Sequence, residues 1–411
     1  MSHYNSFLTA AFLWYAGNAP VLAQPLDRPG RTGDFIGSLI TLVSDSSVAA
    51  NVRGLESFGT RHAMQANRNE IASWIRQKFL DVGITDVVAD SFQYSATWQK
   101  NIIATIPGSS AANYEIVVGG HYDSQSSIPT MAPGADDNAS GTAAVIEMAR
   151  VLRVAQYIPK ATLRFIAFGA EEMGLIGSYD YASKAQAANR QIVLMQNYDM
   201  IGHRNQSQSD RNVKVVWYQG SEVEASMDSA LKRTYTTLTP ILTSQYRPNS
   251  DSYPFFLRGY RAVFNIEDDF SPYYHTKNDT SGALDFKYAS EIVQSGLALL
   301  LTIDGQFAST TVVTNVHQPS TWRLEQNFPN PFNARTIIRY WLTSPSKVKL
   351  TVTNLHGQTL AELVNGDQDA GWKEVFWTAN VSSGVYFYRL EAIPGGDAGR
   401  FVETRKMILV K

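Results

Sequence analysis

From about residue 34 to residue 307, short apolar runs alternate with stretches of helical period. Residues 115–119, 161–168, 191–195 and 261–266 are runs of strand length with few polar interruptions, the pattern of strands buried on both faces. Residues 70–82 place Ile71, Trp74, Ile75, Phe79 and Val82 on one helical stripe, with Gly83 as a stop. Residues 141–154 and 281–303 also predict helices. Strands and helices in alternation make a mostly parallel sheet covered by helices, an α/β unit. After residue 303 the helical period disappears and Ser, Thr, Val and Gln accumulate up to Ser320, which predicts a linker over 308–321. From Trp322 the chain is alternating and rich in turn residues: 336–342, 347–354, 374–377 and 385–391 predict strands, separated by turns at 354–357, 365–366 and 382–384. That pattern predicts a small C-terminal all-β sandwich over 322–411.

Composition sharpens this picture at four points. With 411 residues, of which 44% are hydrophobic, the chain exceeds the size at which single cores stop growing, so two folded units are expected. A net charge of −2 from 35 basic and 37 acidic residues gives no broad attraction to nucleic acid or anionic membrane. The absence of cysteine excludes disulfides, thiol nucleophiles and thiolate ligands, so a metal here must be held by imidazole and carboxylate. The apolar run at 7–16, followed by Gly17, Asn18 and Pro20 and then Val21-Leu22-Ala23 before Gln24, predicts a signal peptide over 1–23, although its start carries only the amino terminus and His3 where Lys or Arg is expected. The run is too short for a membrane span and no later stretch reaches its length, so no span is expected.

Candidate chemistry gathers after the strands, where open parallel sheets build their sites. Gly120-His121-Tyr122-Asp123-Ser124 follows the first run; its imidazole can ligate a metal while Asp123 orients the other ring nitrogen. Gly134-Ala135-Asp136-Asp137-Asn138 delivers carboxylates ahead of a helix, where capping is the competing explanation. Glu171 and Glu172 end a buried run and precede Gly174, which favours a site over a solvated face. One can be a ligand while the other takes a proton. Asn197-Tyr198-Asp199 and Tyr274-His275-Thr276 complete the set. Two imidazoles and three carboxylates, His121, Asp137, Glu172, Asp199 and His275, form a coherent inventory for two zinc ions sharing a bridging carboxylate and a bridging water or hydroxide. With Glu171 as base, that inventory points to hydrolysis.

These segments closely resemble the secreted bacterial leucyl aminopeptidases of metallopeptidase family 28, in order and approximate spacing, over about residues 34–307. The resemblance implies a three-layer α/β/α zinc-exopeptidase (phosphorylase/hydrolase-like) domain over 24–307 with a mostly parallel mixed sheet. It also implies two zinc ions, with His121 and Asp199 on one, Glu172 and His275 on the other, and Asp137 between them. By the same resemblance Glu171 is the general base, Asp123 the partner of the first histidine, and Tyr274 a group that polarises the scissile carbonyl. The implied activity is removal of N-terminal residues from peptide substrates. Asn138 stands where many members have a third acidic residue, and a cysteine-free chain lacks the disulfide some members have near the pocket, here around residues 246–252. A zinc carboxypeptidase or dipeptidase of the same family is the alternative: carboxypeptidase branches share the Tyr274-His275-Thr276 segment and need a cation for the terminal carboxylate, for which Arg247 and Arg258 are candidates. A single-zinc glutaminyl cyclase and a non-catalytic binding protein on the same scaffold are the remaining alternatives.

The C-terminal segment has its own resemblance. Leu324-Glu325-Gln326-Asn327-Phe328-Pro329-Asn330-Pro331, Asn354-Leu355-His356-Gly357-Gln358 and Ser383-Gly384-Val385-Tyr386-Phe387-Tyr388 are similar to a type A sorting domain of type IX secretion. This implies export through the periplasm to the surface or medium, with the secretion machinery as partner. A carbohydrate- or partner-binding sandwich is the alternative, because fold does not fix function. Of the remaining histidines, His62 is a candidate for lining the cleft.

Overall fold

The computed structural model describes residues 34–205, 211–308, 321–327, 330–333, 335–395 and 399–410. The leader expected over 1–23 and most of the expected linker lie outside the described residues. The chain divides into two compact units, 1–316 and 317–411.

The first unit contains helices α1 (Phe35–Ile40), α2 (Asp45–Glu56), α3 (Arg68–Asp81), α4 (Gly141–Val154), α5 (Ile176–Ala187), α6 (Glu222–Tyr235), α7 (Ser252–Leu257) and α8 (Phe286–Gly305). Its strands are β1 (Asp86–Tyr94), β2 (Thr97–Ile106), β3 (Ala111–His121), β4 (Ala161–Phe168), β5 (Gln191–Tyr198), β6 (Asn212–Trp217), β7 (Thr239–Thr243) and β8 (Ala262–Glu267). They form one sheet in the order β1-β2-β4-β3-β5-β8-β6-β7. The central strands β4, β3, β5 and β8 are mutually parallel, while β2 and β6 join antiparallel on either side. The sheet is a middle layer. Ile116 and Val118 of β3, with Leu163, Phe165 and Ala167 of β4, enter the core shared with α4 and α8. Phe168 points the other way, onto Tyr181 of α5 and Phe255 of α7. Burial on both faces explains why β4 and β8 read as continuous apolar runs.

One sequence expectation changes in this unit, and one hairpin, β1–β2, has no counterpart among the expected strands. The helix expected over 281–303 begins at Phe286, because Ser281–Ala283 forms a 3₁₀ turn and the Asp285 side chain caps α8 by accepting the N–H of Tyr288 at 2.9 Å. The β1–β2 hairpin, turned at Ser95 with φ 53°, carries no apolar run on β1, whose positions are mostly exposed or half-buried. Among the described residues, no helix is long and apolar enough to cross a membrane.

The second unit contains β9 (Arg323–Leu324), β10 (Arg335–Leu342), β11 (Ser346–Thr353), β12 (Thr359–Gln368), β13 (Gly371–Thr378), β14 (Gly384–Pro394) and β15 (Phe401–Leu409). Sheets β13-β10-β9 and β12-β11-β14-β15 are antiparallel and enclose Ile338, Tyr340, Leu350, Tyr388, Leu390 and Met407. The turn at 354–357 is present, with Gly357 at φ 75° donating to Asn354 O at 3.0 Å. The turn expected at Asn365-Gly366 is not. Both residues pair within β12, opposite Lys349 and Val348 of β11.

Candidate metal centre

All four parallel strands end at one edge, and each hands a functional side chain to it. His121 is the last residue of β3; Glu171 and Glu172 follow β4; Asp199 directly follows β5; His275 lies in the loop after β8. Asp137 arrives from the turn 135–140 that enters α4, whose Asp137–Asn138 peptide is cis. The sequence is permissive where this turn meets β5. A Cβ on Gly141 would lie 2.1 Å from the Tyr198 carbonyl oxygen, so glycine alone allows the approach.

Asp137 stands between the two imidazoles. Its Oδ1 is 3.3 Å from His121 Nε2, and its Oδ2 is 3.0 Å from His275 Nε2. His121 Nε2 also faces Asp199 Oδ1 at 3.3 Å, with Glu171 Oε2 further off at 3.8 Å. His275 Nε2 faces Glu172 Oε2 at 3.2 Å. Two donor groups result, His121 with Glu171 and Asp199, and Asp137 with Glu172 and His275. The capping explanation for the acidic pair fails, since Ser140 at the start of α4 makes no side-chain cap and Asp136 accepts Gly202 N–H at 2.9 Å. Asn138 instead serves the helix start, its Oδ1 accepting Gly141 N–H at 2.8 Å.

Asp123 works differently from expectation. His121 Nδ1 lies 3.1 Å from the Asp123 main-chain carbonyl and 3.6 Å from its carboxylate, so the carbonyl is the hydrogen-bond partner. The carboxylate accepts the N–H groups of Glu171 at 2.9 Å and Glu172 at 3.2 Å, fixing the loop that carries both glutamates. Tyr274, 42% exposed, stacks on His275 with ring centroids 3.8 Å apart. His62 is taken up locally, its Nδ1 accepting Met64 N–H at 3.2 Å.

Three supporting residues carry no role in the sequence reading. Arg61 is 1% exposed and donates to the carbonyls of Tyr122, Pro133 and Gly134, bracing the loops that carry His121 and Asp137. Asp279 accepts the N–H groups of Asp136 at 2.9 Å and Asp137 at 3.0 Å. Ser250 donates to Asp199 Oδ2 at 2.6 Å and accepts from Asn197 Nδ2 at 2.6 Å. Their sequence separations are long, so no local pattern marks them. Asp279 lies three residues beyond Tyr274-His275-Thr276, the nearest signal in the sequence.

The electrostatics are those of crowded acid. Burial pushes Glu171 well above the ordinary carboxylate range; His121 opposes this, while Glu172, Asp199 and Asp251 add to it. Burial and the Asp137 charge raise Glu172 to about 7, and burial raises Asp251 to about 7. Burial also raises Asp137, but hydrogen bonds from both imidazoles outweigh it and hold that carboxyl below the usual range. Burial lowers His275, yet its bonds to Asp137 and Glu172 bring it up to about 10. Divalent cations would relieve this excess of carboxylate. The donor set fits them: Glu172 Oε1 is buried without a hydrogen-bond partner. Neighbouring ligands at 2.0–2.1 Å from a tetrahedral ion lie about 3.3 Å apart, close to the imidazole–carboxylate separations of 3.0–3.3 Å observed here.

The sequence model of peptidase family M28 matches residues 101–299, which contain the whole donor set. Leucine aminopeptidase 1 of Fusarium vanettenii is 30% identical over 305 residues, covering 69% of this chain and 77% of the relative. The chain belongs to peptidase family M28. As an M28 peptidase it is a metallopeptidase, a hydrolase of peptide bonds. A probable zinc metalloprotease of Pyrenophora teres f. teres is 32% identical over 208 residues, and the chain spans 44% of that relative's length. The M28 fold is shared with the LapA aminopeptidase of Legionella pneumophila, with a TM-score of 0.60 at 21% identity over 69% of this chain and 78% of that one.

Proposed function

We propose that this M28 peptidase is an aminopeptidase that holds two zinc ions, His121 and Asp199 serving one, Glu172 and His275 the other, and Asp137 both. The observation that carries the proposal is the division of the Asp137 carboxylate, one oxygen toward each imidazole at 3.3 and 3.0 Å. An imidazole–carboxylate set without sulfur suits zinc. Bound zinc supplies the positive charge that acidifies water and polarises the scissile carbonyl. Glu171, held by the Asp123 carboxylate through its own N–H, takes the proton of the attacking water and returns it to the leaving amine. Tyr274 donates its hydroxyl to the carbonyl oxygen; burial and the surrounding carboxylates keep that phenol protonated.

The chemistry favours the amino end of a peptide. Arg258 is 2% exposed and donates to Pro254 O and Ser183 Oγ. Arg247 lies 4.0 Å over the Trp217 ring and donates to the Trp217 carbonyl. Both candidate cations for a terminal carboxylate are thus engaged elsewhere. Leucine p-nitroanilide and its N-acetyl form, with and without chelator, test the reading. Cleavage of the free amine alone, lost with chelator and restored by zinc, is expected. Equal cleavage of the acetylated form would overturn it.

We further propose that residues 1–23 direct export and residues 322–411 engage a type IX secretion machinery. The apolar run at 7–16 and the motifs at 324–331, 354–358 and 383–388 support this. Deletion of 322–411 is expected to abolish surface delivery, and retained delivery would count against it.

A further inference from the structure

Arg61, 1% exposed, lies in the segment between α2 and α3, and each of its guanidinium bonds goes to a main-chain carbonyl. Nε donates to Tyr122 O at 2.7 Å, one terminal nitrogen to Pro133 O, and the other to Gly134 O at 2.7 Å. Tyr122 is the neighbour of His121, and Gly134 lies three residues before Asp137. The main chain of Arg61 joins the same two segments: its N–H donates to Ser124 Oγ at 3.0 Å, and that hydroxyl donates to Ala132 O at 2.6 Å. Gly134 makes room for the guanidinium. At its φ of 54°, a Cβ would lie 3.0 Å from an Arg61 terminal nitrogen and 2.5 Å from Ser124 Cβ. Opposite charge holds the other end of this stretch, since the Asp279 carboxylate accepts the N–H groups of Asp136 and Asp137. One cation thus takes consecutive carbonyls, and one anion consecutive N–H groups, of residues 133–137.

We infer that Arg61 is a positioning residue for the metal pair: it sets the spacing of His121 against Asp137 and thereby the affinity of the centre for zinc. The inference rests on the zinc pair proposed above and adds a residue that is not itself a ligand. His121 and Asp137 come from separate segments, yet His121 Nε2 and Asp137 Oδ1 must stay 3.3 Å apart to share an ion. The planar fork of arginine addresses three carbonyls at fixed angles, which the single ammonium of lysine does not. Burial lowers Arg61 to about 10 against the pull of Asp279, Asp123 and Asp137, so the guanidinium is charged at neutral pH.

Arg61→Lys and Arg258→Lys, compared with wild type in the full chain, separate positioning from bracing alone. Arg258 is as deeply buried and donates to Pro254 O and Ser183 Oγ, neither of which is in a ligand-bearing loop. For Arg61→Lys, zinc Kd is expected to rise, and kcat on leucine p-nitroanilide to fall, by about 10–100-fold each, the usual consequence of losing support behind a ligand. The visible absorption bands of its cobalt(II)-loaded form are expected to shift, because they report ligand geometry. Arg258→Lys is expected to lower the urea midpoint while zinc Kd and the cobalt spectrum keep their wild-type values. A wild-type zinc Kd and cobalt spectrum in Arg61→Lys, or equal changes in both variants, would overturn the inference and leave the zinc pair standing. A wild type that binds no zinc would overturn both. If Arg61→Lys fails to fold, Ser124→Ala decides: loss of the hydroxyl between the Arg61 N–H and Ala132 O is expected to weaken zinc binding, and an unchanged zinc Kd would overturn the inference.

Discussion

Replacement of Asp279 by asparagine probes how the acidic loop is held. The carboxylate of Asp279, 3% exposed, gives one oxygen to the N–H of Asp136 at 2.9 Å and the other to that of Asp137 at 3.0 Å. Burial raises this carboxyl to about 6 against the two N–H groups that lower it, so at pH 8 the ionised form serves both. Asparagine keeps the shape but turns one acceptor into an NH₂ group facing a backbone N–H. A hydrogen bond to a charged group contributes about 1.5–3 kcal/mol, and stranding a buried donor costs about 1–3 kcal/mol. These overlap, and a loss of about 2–4 kcal/mol is expected. Because the released amide belongs to Asp137 or to its neighbour Asp136, zinc content and peptidase activity should fall together with stability. Urea unfolding at pH 8, zinc analysis and leucine p-nitroanilide hydrolysis on the same preparation provide the readouts. A change below about 0.5 kcal/mol, less than one such bond contributes, accompanied by wild-type activity would refute the reasoning.

Other outcomes follow from single contacts. Glu171→Gln should retain zinc and the wild-type unfolding curve while kcat falls by about 10²–10⁴, the usual contribution of a general base; near-normal turnover would remove Glu171 from that role. Gly141→Ala places a methyl group 2.1 Å from the Tyr198 carbonyl. Overpacking of this kind typically costs about 1–3 kcal/mol, and unchanged thermal unfolding would show that the turn yields freely. Asp285 is pushed up by burial but held below its ordinary value of 3.8 by Arg204, the Tyr288 N–H and Arg211. Its folded pKa therefore lies below the unfolded one, so its stabilisation is complete above about pH 4 and disappears as pH falls through the folded value. Asp285→Ala should cost about 0.5–2 kcal/mol at pH 7 through loss of the α8 cap. That gap should narrow below pH 4; a gap that widens in acid would contradict the assignment.

The sheet and the ligand-bearing ends of its strands were legible because β4, β5 and β8 are buried on both faces, which leaves an unbroken apolar run followed by polar residues. His121, Glu171, Glu172 and Asp199 stand at or just beyond such ends, so their positions could be read before any coordinate. Elements governed by distant partners were not. Asn365-Gly366 has turn chemistry, yet pairing with Val348 and Lys349 of β11 keeps it in a strand. The start of α8 is set by the Asp285 cap, whereas apolar period alone extended the helix back to Ser281. Arg61 and Asp279 act through main-chain groups far along the chain, and hydrogen bonds of that kind leave no period or spacing in the sequence.

The central claim is that Asp137 lies between two zinc ions. Anomalous scattering from zinc-loaded crystals, recorded above and below the zinc absorption edge, measures this directly. The account predicts two peaks about 3.5–4 Å apart, one beside His121 and Asp199, the other beside Glu172 and His275, with the Asp137 carboxylate between them. A single peak at full occupancy, or two peaks that leave Asp137 uncoordinated, would contradict it.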